Sequence, residues 1–195
     1  MTLKHYLIEN SEIILSEEII KGESIKSIID NCTPLSLDEI FDITQKSLEI
    51  LAHLAKLKPL VLHGDINSEN IIITENNSLA IINFRETPLP FKEKKSLFVA
   101  PEQLNGKLSI QSDLYSLGLV IVNLVTRKNL NELQFIDNKI HFRRDTGINS
   151  FFKNLLDDLI QPKLKFRTKK AKKSLKHLNK IRKGKFGRDP FEINK

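Results

Sequence analysis

The run His63-Gly64-Asp65-Ile66-Asn67-Ser68-Glu69-Asn70 gathers an imidazole, two carboxylates and two amides into one short stretch. Groups of this kind can take a proton from a hydroxyl, or offer oxygen atoms to a hard cation such as Mg²⁺. A lone Asp is ordinarily a surface carboxylate, so the chemistry depends on what positions the run. A second polar group follows at Asn83 and Arg85. No Cys/His cluster offers a zinc site, and the single cysteine, Cys32, has no partner for an internal disulfide and reads as a packed thiol.

The elements that must position these residues are legible from periodicity. Tyr6-Leu7-Ile8 and Ile13-Ile14-Leu15 read as two short strands around the turn-like Glu9-Asn10-Ser11-Glu12. Ser24 to Asn31 has room for a short helix. Ser36 with Glu39 forms a capping-box signature, and Leu37, Ile40, Phe41, Leu48, Leu51, Leu54 and Ala55 follow at helical spacing, predicting a long amphipathic helix that stops near Lys58-Pro59. Asn70–Thr74 and Leu79–Phe84 read as a hairpin directly after the polar run. Asp113–Val125 is apolar on nearly every side and too short to span a bilayer, which predicts a central buried helix. Ile148–Ile160 and the very basic Ala171–Ile181 are further helix candidates. The fold class expected is α+β, predominantly α-helical.

The 195 residues carry a net charge of +7 and 40% hydrophobic content, enough for one domain with a real core. The charge is uneven: 13 of the 31 Lys/Arg lie between Lys163 and Arg188, a segment without Asp or Glu, so the remainder leans acidic. That end could meet an anionic partner, whether nucleic acid, a membrane surface or an acidic protein. Phe166 and Phe186 stand too far apart to form a stacking platform. No apolar run reaches the roughly 18 to 20 residues of a transmembrane helix, and a soluble, intracellular, cytoplasmic protein is expected.

The polar run matches the protein-kinase catalytic-loop pattern H-R-D-x-x-x-x-N, and three landmarks follow it in order. Ile82-Asn83-Phe84-Arg85 stands at the D-F-G position and Ala100-Pro101-Glu102 at A-P-E. Ser112-Asp113-Leu114-Tyr115-Ser116-Leu117-Gly118 resembles the start of the family's central helix. Glu18–Ile25 resembles the hinge between the two lobes. Over about residues 5 to 178 the chain resembles bacterial-type serine/threonine kinases. The resemblance implies a kinase C-lobe with a remnant of N-lobe strands and hinge: 1–22 for the remnant, 23–181 for the C-lobe and 182–195 for a basic tail. ATP and Mg²⁺ are the cofactors it implies. By the same resemblance Asp65 is the catalytic carboxylate that accepts the substrate hydroxyl's proton. Asn70 and Asn83 stand at the metal positions, and Asn70, Asn83 and Arg85 at the cofactor-binding positions. His63, Glu102, Asp113 and Lys165 take structural roles, Asp113 anchoring the loop's backbone and Lys165 pairing with Glu102.

The departures are as informative. No glycine-rich loop or V-A-I-K lysine precedes the hinge. Asn83 replaces the metal-binding Asp and brings no negative charge. Arg85 replaces the motif's glycine, exchanging backbone freedom for a cation beside the phosphate site. Gly64 replaces the arginine of H-R-D, a form also found in small-molecule phosphotransferases, and Asn67 stands where a lysine is usual. Between Phe84 and Ala100 only Thr87 and Ser96 carry hydroxyls. Three readings follow: a pseudokinase acting as a binding or regulatory module, an active serine/threonine kinase whose missing lobe is supplied in trans, or a truncated remnant whose true start lies upstream. The unpaired edge of the Tyr6–Leu15 strands predicts a protein partner or self-association.

Overall fold

The computed structural model describes residues 20–85, 97–136 and 139–184, together with the backbone of 5–9 and 12–16. Thr87, Ser96, Phe186, the Asn10-Ser11 turn and the tail beyond Gly184 lie outside the described residues. At the start, β1 (His5–Glu9) and β2 (Glu12–Ser16) pair antiparallel, with Tyr6 opposite Leu15.

A four-helix body follows, with the apolar faces turned inward. Ser36 caps α2 (Leu37–Leu54): its hydroxyl accepts the Glu39 N–H, and the Glu39 carboxylate accepts the Ser36 N–H at 2.7 Å. Of the predicted stripe, Ile40, Phe41, Leu48 and Leu51 face the interior, while Leu37 at its start is exposed and Leu54 and Ala55 at its end are half-buried. At the centre stands α3 (Ile110–Thr126), buried without a break from Ser112 to Leu124. Such all-round burial suits an apolar helix enclosed by others. It packs on α2 and on α4 (Ser150–Leu159), while α5 (Ala171–Arg182) lies across α2 and α4. The α3–α4 approach needs Gly118, where a Cβ would come within 2.7 Å of Ile160 and 2.8 Å of Leu159. Phe41 and Phe152 stack at 4.6 Å between ring centroids and join α2 to α4.

A small sheet carries the polar loop. β4 (Ile71–Thr74) pairs antiparallel with β5 (Leu79–Ile81) as the periodicity predicts, the strands ending short of Phe84. A third strand, β3 (Gly22–Ser24), pairs with the other edge of β4, with Ser24 opposite Ile72. β3 leads straight into α1 (Ile25–Asp30), whose Lys26 N–H donates to Ser68 O at 2.8 Å. Another hairpin, β6 (Gln134–Ile136) with β7 (Lys139–His141), stands between α3 and α4 and has no counterpart in the sequence reading. Cys32 is exposed, not packed. No helix among the described residues is long and apolar enough to cross a membrane.

Candidate functional site

The first turn of α3 projects Asp113 into the loop that precedes β4. Its two carboxylate oxygens accept the backbone N–H groups of His63 and Gly64, each at 2.9 Å. Burial pushes the Asp113 carboxyl up to about 6, against the opposing pull of those two donors. The His63 ring is fully buried. Its Nδ1 accepts the Asp65 N–H at 3.2 Å, which leaves the proton on Nε2 to be donated to Ile82 O at 2.9 Å. Burial lowers its basicity, and the ring lies tilted against Phe84 at 4.4 Å, so the imidazole is neutral and committed to holding two segments together. Ile82 N–H to Asn70 O and Arg85 N–H to His63 O, both 2.9 Å, complete the attachment.

Asp65, Asn70 and Asn83 come together on this frame. Asp65 lines a groove of about 450 Å³ shared with Lys26, Asp30, Glu69 and Leu97. Asn67 spans the turn: its amide donates to Asp65 O and Oδ1, and its oxygen accepts the N–H groups of Glu69 and Asn70. Asn70 is buried, and its Nδ2 donates to Asp65 O at 2.8 Å. A carbonyl can only accept, so this contact fixes which end of the Asn70 amide is nitrogen. The Asn70 oxygen therefore faces Asn83, whose Nδ2 donates to it at 2.9 Å. Asn83 holds a left-handed backbone, φ 61°, a conformation that Asn adopts more readily than most residues.

This arrangement does not fit a resident magnesium ion. Mg²⁺ is usually anchored by one or two carboxylates in near-octahedral geometry. Here the paired side chains are two neutral amides, and Asn83 presents its NH₂ end to the oxygen that a metal would need. Among the described residues no group of three His, Cys, Asp or Glu is gathered where it could hold a metal.

Gly64 and Arg85, which the sequence presents as separate departures, form one packing unit. Gly64 has φ 78°, and a Cβ there would stand 3.2 Å from the Arg85 Cβ and 3.1 Å from Leu108. The stem of Arg85 thus fills the space beside residue 64, and a large side chain at position 64 would displace it.

Behind the loop a second cluster fixes the segment after Ala100. The Arg167 side chain, fully buried, donates to both Glu102 oxygens at 2.5 and 3.0 Å and lies over the Tyr115 ring at 4.6 Å. Ser112 donates to Glu102 Oε1 at 2.8 Å. Burial pushes the Glu102 carboxyl up, but the Arg167 and Ser112 hydrogen bonds outweigh it and hold the group below its ordinary value. This corrects the expectation for Lys165, which is exposed with its ammonium over the Phe166 ring at 4.7 Å. A guanidinium offers a planar fork that matches a carboxylate with two parallel bonds, whereas an ammonium is a strongly hydrated point charge that favours water. The sequence reading also missed Gln103, whose amide donates to Gly64 O at 3.1 Å and accepts the Ala100 N–H at 2.8 Å. Its place directly after Glu102 is the only signal it leaves.

The sequence profile of the protein kinase domain matches residues 1–181. Among curated proteins, the chain is 27% identical over 147 residues to the serine/threonine-protein kinase flr-4 of Caenorhabditis elegans, a match covering 63% of this chain and 25% of that protein. It is 29% identical over 131 residues to the MAP kinase kinase MKK1/SSP32 of Saccharomyces cerevisiae, covering 62% and 25%. To serine/threonine-protein kinase D of a Synechocystis species it is 29% identical over 141 residues, covering 65% and 27%. The chain spans about a quarter of the length of these relatives. With a helical body presenting Asp65 and Asn70 on a loop tied to Asp113, and the family profile covering nearly the whole chain, the protein belongs to the protein kinase domain family.

Proposed function

We propose that this chain is a protein-kinase-like module impaired in phosphoryl transfer, which acts by binding or regulating a protein partner. One contact carries the reading: the hydrogen bond from Asn83 to the Asn70 oxygen. Phosphoryl transfer asks a protein chiefly to position groups and to neutralise the charge of the phosphates, a task in which metal ions take a large part. A neutral amide pair supplies no charge, and the oxygen of Asn70 is already engaged by the Asn83 NH₂. Any contact with ATP in this reading is independent of magnesium, with the Arg85 cation standing in for part of the lost charge.

Asp65 supports a second reading. It faces an open groove in which a hydroxyl-bearing chain could lie, as an active serine/threonine kinase requires. Transfer of radiolabelled phosphate from ATP to a general protein substrate separates the two. The impaired-module reading expects the parent and Asp65→Asn to be indistinguishable from a blank. Transfer by the parent that disappears in Asp65→Asn would overturn it in favour of the enzyme.

A further inference from the structure

The basic segment is a folded surface. Ala171, Ser174, Leu178 and Ile181 of α5 are buried against the body, so the apolar face of this helix is already used. Two of the segment's cations also turn to internal partners, Arg167 to Glu102 and Arg182 to Asp42 at 2.6 Å. The opposite face presents Lys172, Lys173, Lys176, Lys180 and Lys183, all exposed, and among the described residues no ion pair joins any of them to a carboxylate. Lysines one turn apart repel one another, and cations in the first turn oppose the helix dipole. The first turn of α5 contains no acid to offset them. The field reaches His177, whose basicity is lowered first by burial and then by Lys180 and Lys173, against the pull of Asp158. The fold thus maintains a line of like charge that nothing within the described molecule neutralises.

We propose that this lysine face of α5 binds the phosphate backbone of duplex nucleic acid without regard to sequence. Lys172 to Lys183 extends about 16 Å at the ~1.5 Å rise of an α-helix. Over that length of axis a duplex carries about ten phosphates, counting both strands. These wind around the axis, so the lysine row meets the backbone where it crosses the groove edges, and the duplex offers fixed negative charge in excess of the five lysines. An anionic membrane is the weaker fit. Helices that enter a bilayer surface carry a free apolar face beside the basic one, whereas the apolar side of α5 is buried and its exposed side holds lysines and Asn179. Contacts to the phosphate backbone position a protein on a duplex but carry no sequence information, so no sequence preference is expected.

The test is fluorescence anisotropy of the full chain with two labelled DNA duplexes of unrelated sequence, titrated from low to moderate salt. Five neutralised phosphates give a slope of log K against log salt of about −4.5, or roughly 500-fold weaker binding for a fourfold rise in salt. The triple variant Lys172→Gln/Lys176→Gln/Lys180→Gln should reduce that slope by about 2.7 and bind both duplexes more weakly. A control, Lys56→Gln/Lys58→Gln/Lys107→Gln, removes three exposed lysines outside the stripe and should leave the slope unchanged. Unaltered far-UV circular dichroism in both variants keeps the comparison free of unfolding. Absence of binding at low salt, an equal loss in both triple variants, or capture only by phosphatidylserine vesicles in a parallel sedimentation assay would each overturn the proposal.

Discussion

The loop from His63 to Asn70 is held between two polar clusters of opposite character. Behind it, Glu102 and Arg167 are fully ionic, joined by two bonds and shut away from water. In front, Asn70 and Asn83 are neutral and joined by one bond, with Asn83 exposed. The rear cluster and Asp113 keep the charges needed to place the loop, while the front pair lacks the charge needed to hold a metal against phosphates. Geometry and catalytic electrostatics are separable here. The loop is presented in full although the amide pair beside it is uncharged.

The sharpest way to break the contrast is at Arg167. Arg167→Met leaves the Glu102 carboxylate buried and unpaired, and should cost about 3–5 kcal/mol of stability in urea unfolding. Adding Glu102→Gln should return much of that loss. A cost near that of an exposed ion pair would make the rear cluster ornamental.

Asp113→Asn comes next. It replaces one of the two acceptors for His63 and Gly64 with a donor, and should cost about 1–3 kcal/mol at neutral pH. The two carboxylates should also respond to pH with opposite sign. Asp113 is raised from its ordinary 3.8 to about 6, so the folded state takes up its proton first. Its contribution to stability therefore falls as pH rises from about 4 to 6 and is flat beyond. The gap between parent and Asp113→Asn should accordingly widen as pH falls through that window. Glu102 is held below its ordinary 4.5, so its contribution is present above that value and is lost as pH falls beneath it. Unfolding curves for parent, Asp113→Asn and Glu102→Gln across acidic pH would show these slopes, and a gap that narrows toward pH 4 would contradict the Asp113 assignment.

Asn83→Ala should have the smallest effect, about 0.5–1.5 kcal/mol, as expected for one neutral hydrogen bond at a partly exposed site. A loss as large as that of Arg167→Met would erase the distinction between the clusters.

Much of this was legible from residue order because it is local. The capping box of Ser36 and Glu39, the stripe on α2, the apolar run of α3 and the spacing of His63, Asp65 and Asn70 each depend on neighbours within a few residues. What escaped depends on long-range placement. Lys165 and Arg167 are two residues apart, and only the packed interior decides which faces Glu102. β3 owes its existence to pairing with β4, nearly fifty residues later. The loss of charge at Asn83 was visible in the sequence. That its NH₂ would turn to the Asn70 oxygen was not, because the orientation follows from the Asn70 bond to Asp65 O.

The central claim rests on that amide pair and can be tested by nuclear magnetic resonance of the side-chain NH₂ groups of Asn70 and Asn83 during a magnesium titration, with and without ATP. Both signals should stay in place as magnesium rises through the millimolar range, and Asn83→Asp should make the Asn70 signal magnesium-sensitive. Magnesium-dependent movement of both signals in the parent chain, growing stronger when ATP is added, would contradict the account.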